Sequence, residues 1–97
     1  MAILFIAKGN GLTKEIYENG RKELNWEANP PPGLIFHAAS FDESGNLRLA
    51  DIWESEEQLN NFANTRLMPY LQKANVSPPK GEIFPIHNVY PVPGTER

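Results

Sequence analysis

GLIFHAASFDESGNLRLADIWESEEQLNNFANTRL, residues 33–67, is the stretch that decides the fold. Leu34 to Phe41 and Leu47 to Trp53 are short, rich in apolar residues and separated by Asp42–Asn46, a turn-forming segment with one glycine. That pattern predicts two antiparallel strands joined by a hairpin. A three-residue loop Glu43-Ser44-Gly45, with the glycine left-handed, and a five-residue loop Asp42–Asn46 give the same register. In it His37 lies opposite Asp51 and Ile35 opposite Trp53. Ile35, His37, Ala39, Leu49, Asp51 and Trp53 then share one face of the sheet. Ser55-Glu56-Glu57-Gln58 next forms a capping box, with two acids where the helix dipole favours them. Leu59, Phe62, Ala63, Arg66 and Leu67 continue at helical spacing.

Upstream, Ala2 to Lys8 (AILFIAK) is a short apolar run closed by Gly9-Asn10-Gly11, which reads as a strand covered on both faces. Thr13 offers an N-cap to a helix carrying Ile16, Tyr17 and Leu24. Gly20 lies in line with Ile16 and Leu24 and costs roughly 1 kcal/mol there against alanine, so it predicts a close approach to the sheet. Asn29-Pro30-Pro31-Pro32-Gly33 ends the helix and leads stiffly into the next strand. Downstream, Pro69 interrupts the second helix, leaving Tyr70 and Leu71 to a kinked extension or a short new turn. Glu82 to Tyr90 reads as the last strand, and Pro85 within it predicts a sheet edge. Pro91 and Pro93 then end the order.

The element order is β-α-β-β-α-β, that of an α+β, ferredoxin-like domain with an antiparallel four-stranded sheet in order 4-1-3-2, spanning residues 1–97 as one domain. A short internal echo, PPPGLIFH against PPKGEIFPIH, agrees with a doubled split β-α-β unit. Two helices cover one sheet face. The other is also apolar, and a monomer exposing it would be unusual, so a homodimer is expected.

Composition narrows the function. The chain has 97 residues, a net charge of −3 and no run of basic residues longer than Arg21-Lys22, which gives no reason to expect nucleic acid. The motif of a ferredoxin-like RNA binder is also absent. Without cysteine, thiolate nucleophiles, disulfides and sulfur-ligated metals are excluded. Met1–Ala7 is too short to span a membrane, and the chain is read as soluble and cytoplasmic.

His37 facing Asp51 is the sharpest chemical pair. A carboxylate on one ring nitrogen fixes the tautomer and makes the other a better proton acceptor, able to take a proton from a phenol or an acidic carbon. The competing reading is a histidine satisfied by its neighbour, with Asp51 ordering the helix entry. His87, expected on the far edge of the sheet about 14 Å away at ~4.8 Å per strand, cannot share a metal with His37, so no metal site is expected.

H-A-A-S at 37–40, A-D-I-W-E-S-E-E at 50–57 and F-A-N-T-R-L-M-P at 62–69 resemble the dimeric α+β barrel proteins of the antibiotic-biosynthesis-monooxygenase type. The resemblance implies a dimeric barrel with a pocket between each sheet and its helices, lined by Trp53. It implies activities among cofactor-free oxygenases of phenols and quinols, haem-degrading enzymes and isomerases of small ring acids. The haem-degrading branch uses a histidine on the second helix, and Ser55–Leu67 has none, so no cofactor is expected. The first-strand asparagine of several oxygenases has no match, because Asn10 falls beyond the strand.

The expected function is a homodimer binding a small apolar or aromatic ring compound, with His37 and Asp51 catalytic. Trp53, Phe62, Leu59, Leu67, Arg66 and Tyr17 are candidate ligand contacts. The aromatic and aliphatic ones serve equally as core. Arg66 serves equally as half of a surface ion pair. The alternative is a non-catalytic binding or assembly module on the same fold.

Overall fold

The computed structural model describes residues 1–91. In chain order it contains β1 (Ile3–Gly9), α1 (Lys14–Leu24), β2 (Leu34–Phe41), β3 (Leu47–Trp53), α2 (Glu56–Phe62), a π-helical turn (Ala63–Leu67), α3 (Met68–Ala74) and β4 (Lys80–Pro85). Because α2, the π turn and α3 run on as one rod, the order is the expected β-α-β-β-α-β. The four strands pair antiparallel in the order β2-β3-β1-β4. The apolar β1 is thus central, and the proline-containing β4 lies at an edge.

Local chemistry sets the element ends. Thr13 accepts a hydrogen bond from the Ile16 amide, and Ser55 accepts one from Gln58, so both helices begin at the expected caps. The β2–β3 hairpin closes on the five residues Asp42–Asn46, with Gly45 at φ +80°. The Asp42 carboxylate accepts from the Ser44 and Asn46 amides at 3.0 Å each, which holds the loop.

Three details differ from expectation. A β-bulge lies between Leu34 and Phe36, so Leu34, not Ile35, stands opposite Trp53. The extra residue reverses the alternation at the start of β2, bringing Leu34 against the Trp53 cluster and leaving Ile35 exposed. Gly20 approaches Tyr70 rather than the sheet. A Cβ there would stand 2.8 Å from the Tyr70 ring, whose hydroxyl donates to the Ile16 carbonyl. β4 ends at Pro85, not Tyr90, although the Ile86 amide still bonds to Ala2. The helix continues past Pro69, and Tyr70 and Leu71 lie in the expected extension. The helix widens one turn earlier, where the Met68 amide bonds to the Ala63 carbonyl, and then continues to Ala74. Pro69 has no N–H for an α ladder, and the widening precedes the place where one is needed. The order-ending role expected of Pro93 lies outside the described residues.

The helices cover one sheet face with two buried clusters. Leu12, Leu47, Tyr70 and Leu71 form one, and Ile3, Trp53 and Leu59 the other. The opposite face carries a continuous apolar row across all four strands, Phe36–Ile52–Leu4–Phe84, placed side by side by the pairing register. Ile6 stands in the next row, and Ile6, Phe36 and Phe84 are 49%, 44% and 42% exposed.

Candidate functional site

Between the sheet and the helices lies a cavity of about 270 Å³. Its wall is mostly apolar, and it takes residues from the inner sheet face, from α1 and from the α2–α3 rod. Trp53, Phe62, Leu59, Leu67 and Tyr17 all line it, together with His37 and Asp51. Arg66 does not. It sits in the π turn, donates to the Leu24 carbonyl at the end of α1 at 2.7 Å, and lies 5.5 Å from the centre of the Phe62 ring. Its guanidinium ties the π turn to the carbonyl end of α1, where a cation is favoured.

Four side chains of the wall, Tyr17, His37, Asp51 and Trp53, form a single chain of hydrogen bonds. His37 Nδ1 lies 2.6 Å from Asp51 Oδ1, and the Trp53 indole donates to Asp51 Oδ2 at 3.2 Å. On the other side of the ring, His37 Nε2 lies 2.7 Å from the Tyr17 hydroxyl. Asp51 is the one buried charged residue among those described, and both its oxygens are engaged. The indole can only donate, so Asp51 accepts from it, and a carboxylate that also accepts from Nδ1 leaves Nε2 with the lone pair in the neutral ring. In that form of the ring the Tyr17 hydroxyl donates to Nε2.

Packing holds these groups in place. The Tyr17 ring lies nearly parallel to His37, joined to it end to end with centroids 6.0 Å apart, and meets Trp26 and Phe41 edge-on at 5.6 and 5.9 Å. Trp26 also meets His37 edge-on at 5.7 Å, and Trp53 packs on Phe62 at 5.6 Å. Burial raises the Tyr17 pKa above its ordinary value. Nearby Arg21 opposes that shift, while Glu18, Glu27 and Asp51 reinforce it. Tyr17 therefore stays protonated, as a donor to Nε2 must.

Two parts of this wall escape sequence reasoning. Trp26 lies in an irregular segment with no periodicity to give it a direction, and its aromatic character is the only signal. The bond from Tyr17 to His37 depends on the rotation of α1 over the sheet, which residue spacing does not specify. Tyr70, the other tyrosine on the wall, spends its hydroxyl on the Ile16 carbonyl at 2.6 Å. His87 is exposed beyond β4, at the sheet edge opposite β2. Among the described residues no three His, Asp or Glu side chains converge as a metal site.

No protein-family model and no curated protein sequence matches the chain. Solved structures do. SnoaB, a cofactor-independent oxygenase from Streptomyces nogalater, is 12% identical with a TM-score of 0.63, over 93% of this chain and 97% of its own. A Chloroflexus aurantiacus protein provisionally assigned as an antibiotic-biosynthesis monooxygenase is 11% identical with a TM-score of 0.67, covering 95% and 99%. Rv0793 from Mycobacterium tuberculosis is 10% identical with a TM-score of 0.66, covering 93% and 99%. At such identities the likeness is one of architecture, and it spans nearly the whole of each chain. The chain thus has the α+β, ferredoxin-like fold of the antibiotic-biosynthesis-monooxygenase-like proteins, as its resemblance to them implied.

Proposed function

We propose that this chain is a cofactor-free monooxygenase acting on a phenol- or quinol-like ring, with His37 as the base and Asp51 as its orienting partner. The observation that carries the reading is the hydrogen-bonded pair His37–Asp51 set in an otherwise apolar cavity. A carboxylate at Nδ1 leaves Nε2 as the proton acceptor on that wall. Loss of a proton turns a phenol into an electron-rich phenolate, the form that reacts with dioxygen without a metal or flavin. One oxygen atom enters the ring to give a quinone. The other leaves as water with the hydroxyl proton and one ring hydrogen. A cavity of about 150 Å³ takes up benzene, so about 270 Å³ suits one or two fused rings.

His37→Gln tests this. Turnover is measured as oxygen uptake with a panel of simple phenols and quinols, and binding by tryptophan fluorescence. The variant is expected to bind ligand within a few-fold of the wild type while turnover falls by about 10²–10⁴-fold, the usual worth of a positioned base. Undiminished turnover in the variant sinks the base assignment. One observation favours a second reading, a non-catalytic binding module: the protein's own Tyr17 hydroxyl satisfies Nε2. Under that reading no member of the panel is turned over by the wild type.

The assembly proposed is a homodimer of a single-domain chain, formed through the outer sheet face. Support comes from the apolar row Phe36–Ile52–Leu4–Phe84, exposed at both ends, with exposed Ile6 beside it, a contiguous surface that a second copy would cover. Sedimentation at micromolar concentration is expected to show a dimer for the wild type and a folded monomer for Ile6→Glu. A monomeric wild type overturns the proposal. The cysteine-free sequence suits the reducing cytoplasm, where we place the protein. Among the described residues, no helix is long and apolar enough to cross a membrane.

A further inference from the structure

Both nitrogens of the His37 ring are already engaged, Nδ1 by Asp51 and Nε2 by Tyr17. The acceptor position that the proposed base offers is therefore occupied by the protein's own phenol. Tyr17 is held beside His37 by edge-on contacts of its ring with Trp26 and Phe41. Its oxygen still has lone pairs to offer, and its side chain lines the cavity.

We propose that Tyr17 is the group that receives the ligand's proton, and that His37 acts through it. The ligand is a compound whose hydroxyl is itself phenolic, and that hydroxyl donates to the Tyr17 oxygen. The ligand O–H bond breaks and a new O–H bond forms at Tyr17. The original Tyr17 O–H bond breaks and an N–H bond forms at Nε2. No electrons change hands in this step. The ligand becomes a phenolate hydrogen-bonded to Tyr17, and the imidazolium is held by Asp51. This inference rests on the assignment of His37 as base and adds a residue that touches the ligand. Burial supports it by keeping the Tyr17 hydroxyl protonated until His37 takes its hydrogen.

The test uses 4-nitrophenol, whose phenolate is coloured and whose neutral form is not, bound to the intact protein at a pH where the free probe is mostly neutral. The wild type is expected to raise the phenolate fraction of the bound probe. Tyr17→Phe keeps the ring and its packing but loses the hydroxyl. It is expected to lower the bound phenolate-to-phenol ratio about tenfold or more, the worth of a charge-assisted hydrogen bond, and His37→Gln to lower it similarly. Because the ratio is read on bound probe, weaker binding alone does not imitate this result.

If Tyr17→Phe leaves the ratio unchanged or raises it while His37→Gln lowers it, the relay is wrong and His37 meets the ligand directly. If the wild type does not raise the phenolate fraction, or His37→Gln does not lower it, the base assignment fails and the relay with it. Should Tyr17→Phe not fold, 3-fluorotyrosine at position 17 serves instead. As a stronger donor it is expected to raise the bound phenolate ratio, and no change overturns the relay.

Discussion

Trp53→Ala is expected to destabilise the protein by about 3–5 kcal/mol, the cost of emptying a large aromatic site in a packed core. Trp53 is 1% exposed and is the largest fully buried side chain among the described residues. It joins Ile3 and Leu59 in one cluster and packs on Phe62, while Leu34 and Ile83 close over that cluster. Its indole also supplies one of the two hydrogen bonds to Asp51. Small domains have about 5–15 kcal/mol in total, so the variant should melt far below the wild type. Trp53→Phe separates volume from hydrogen bonding. It retains much of the ring contact and should lose clearly less, about 1–3 kcal/mol, because Asp51 is left with one partner fewer. Urea denaturation of both variants checks this. If the alanine variant costs less than about 1 kcal/mol, Trp53 does not hold the cavity wall together.

Asp51→Asn is expected to leave a folded protein whose proton abstraction falls by about 10²–10⁴-fold. The reason is one of hydrogen-bond direction. Asp51 accepts from both His37 and Trp53. Asparagine offers one oxygen and one NH₂, and the indole can only donate. The asparagine oxygen therefore goes to Trp53, and its NH₂ faces His37 Nδ1. Nδ1 must become the acceptor, which sends the ring hydrogen to Nε2. The ring then presents a donor where the wild type presents a lone pair, and Tyr17 must turn its hydroxyl to accept. Nitrogen NMR of the labelled His37 ring reads the tautomer without reference to any reaction. Phenol and quinol turnover gives the kinetic half of the test. A ring still unprotonated at Nε2 with turnover within tenfold of the wild type would rule out the orienting role proposed for Asp51.

Much of this arrangement is legible in the residues, and the exceptions have physical causes. His37 pairs with Asp51 because strands alternate with period two and the loop length sets the register. Only two residues away the same reasoning fails for Ile35, because a bulge adds a residue without any composition signal. The caps Thr13 and Ser55 are legible because each oxygen bonds a nearby amide. Tyr17 and Trp26 meet His37 through the placement of one layer on another. Such contacts are long-range, and helical spacing gives only the residues that share a stripe. The position of Arg66 on the Leu24 carbonyl is hidden for the same reason. The pairing of Gly20 with Tyr70 joins two helices, whereas a single helix read alone could only indicate that its glycine meets something close.

The wide turn Ala63–Leu67 also resets the angular phase of the rod. On an uninterrupted α-helix each residue advances about 100°, so Leu71 would point about 120° away from Leu59. A π turn accommodates roughly one extra residue and so takes back about 100°, leaving the two about 20° apart. Both leucines are buried. A single helical wheel drawn through residues 56–74 therefore misassigns everything after the turn, and two wheels offset by one residue describe the same wall correctly.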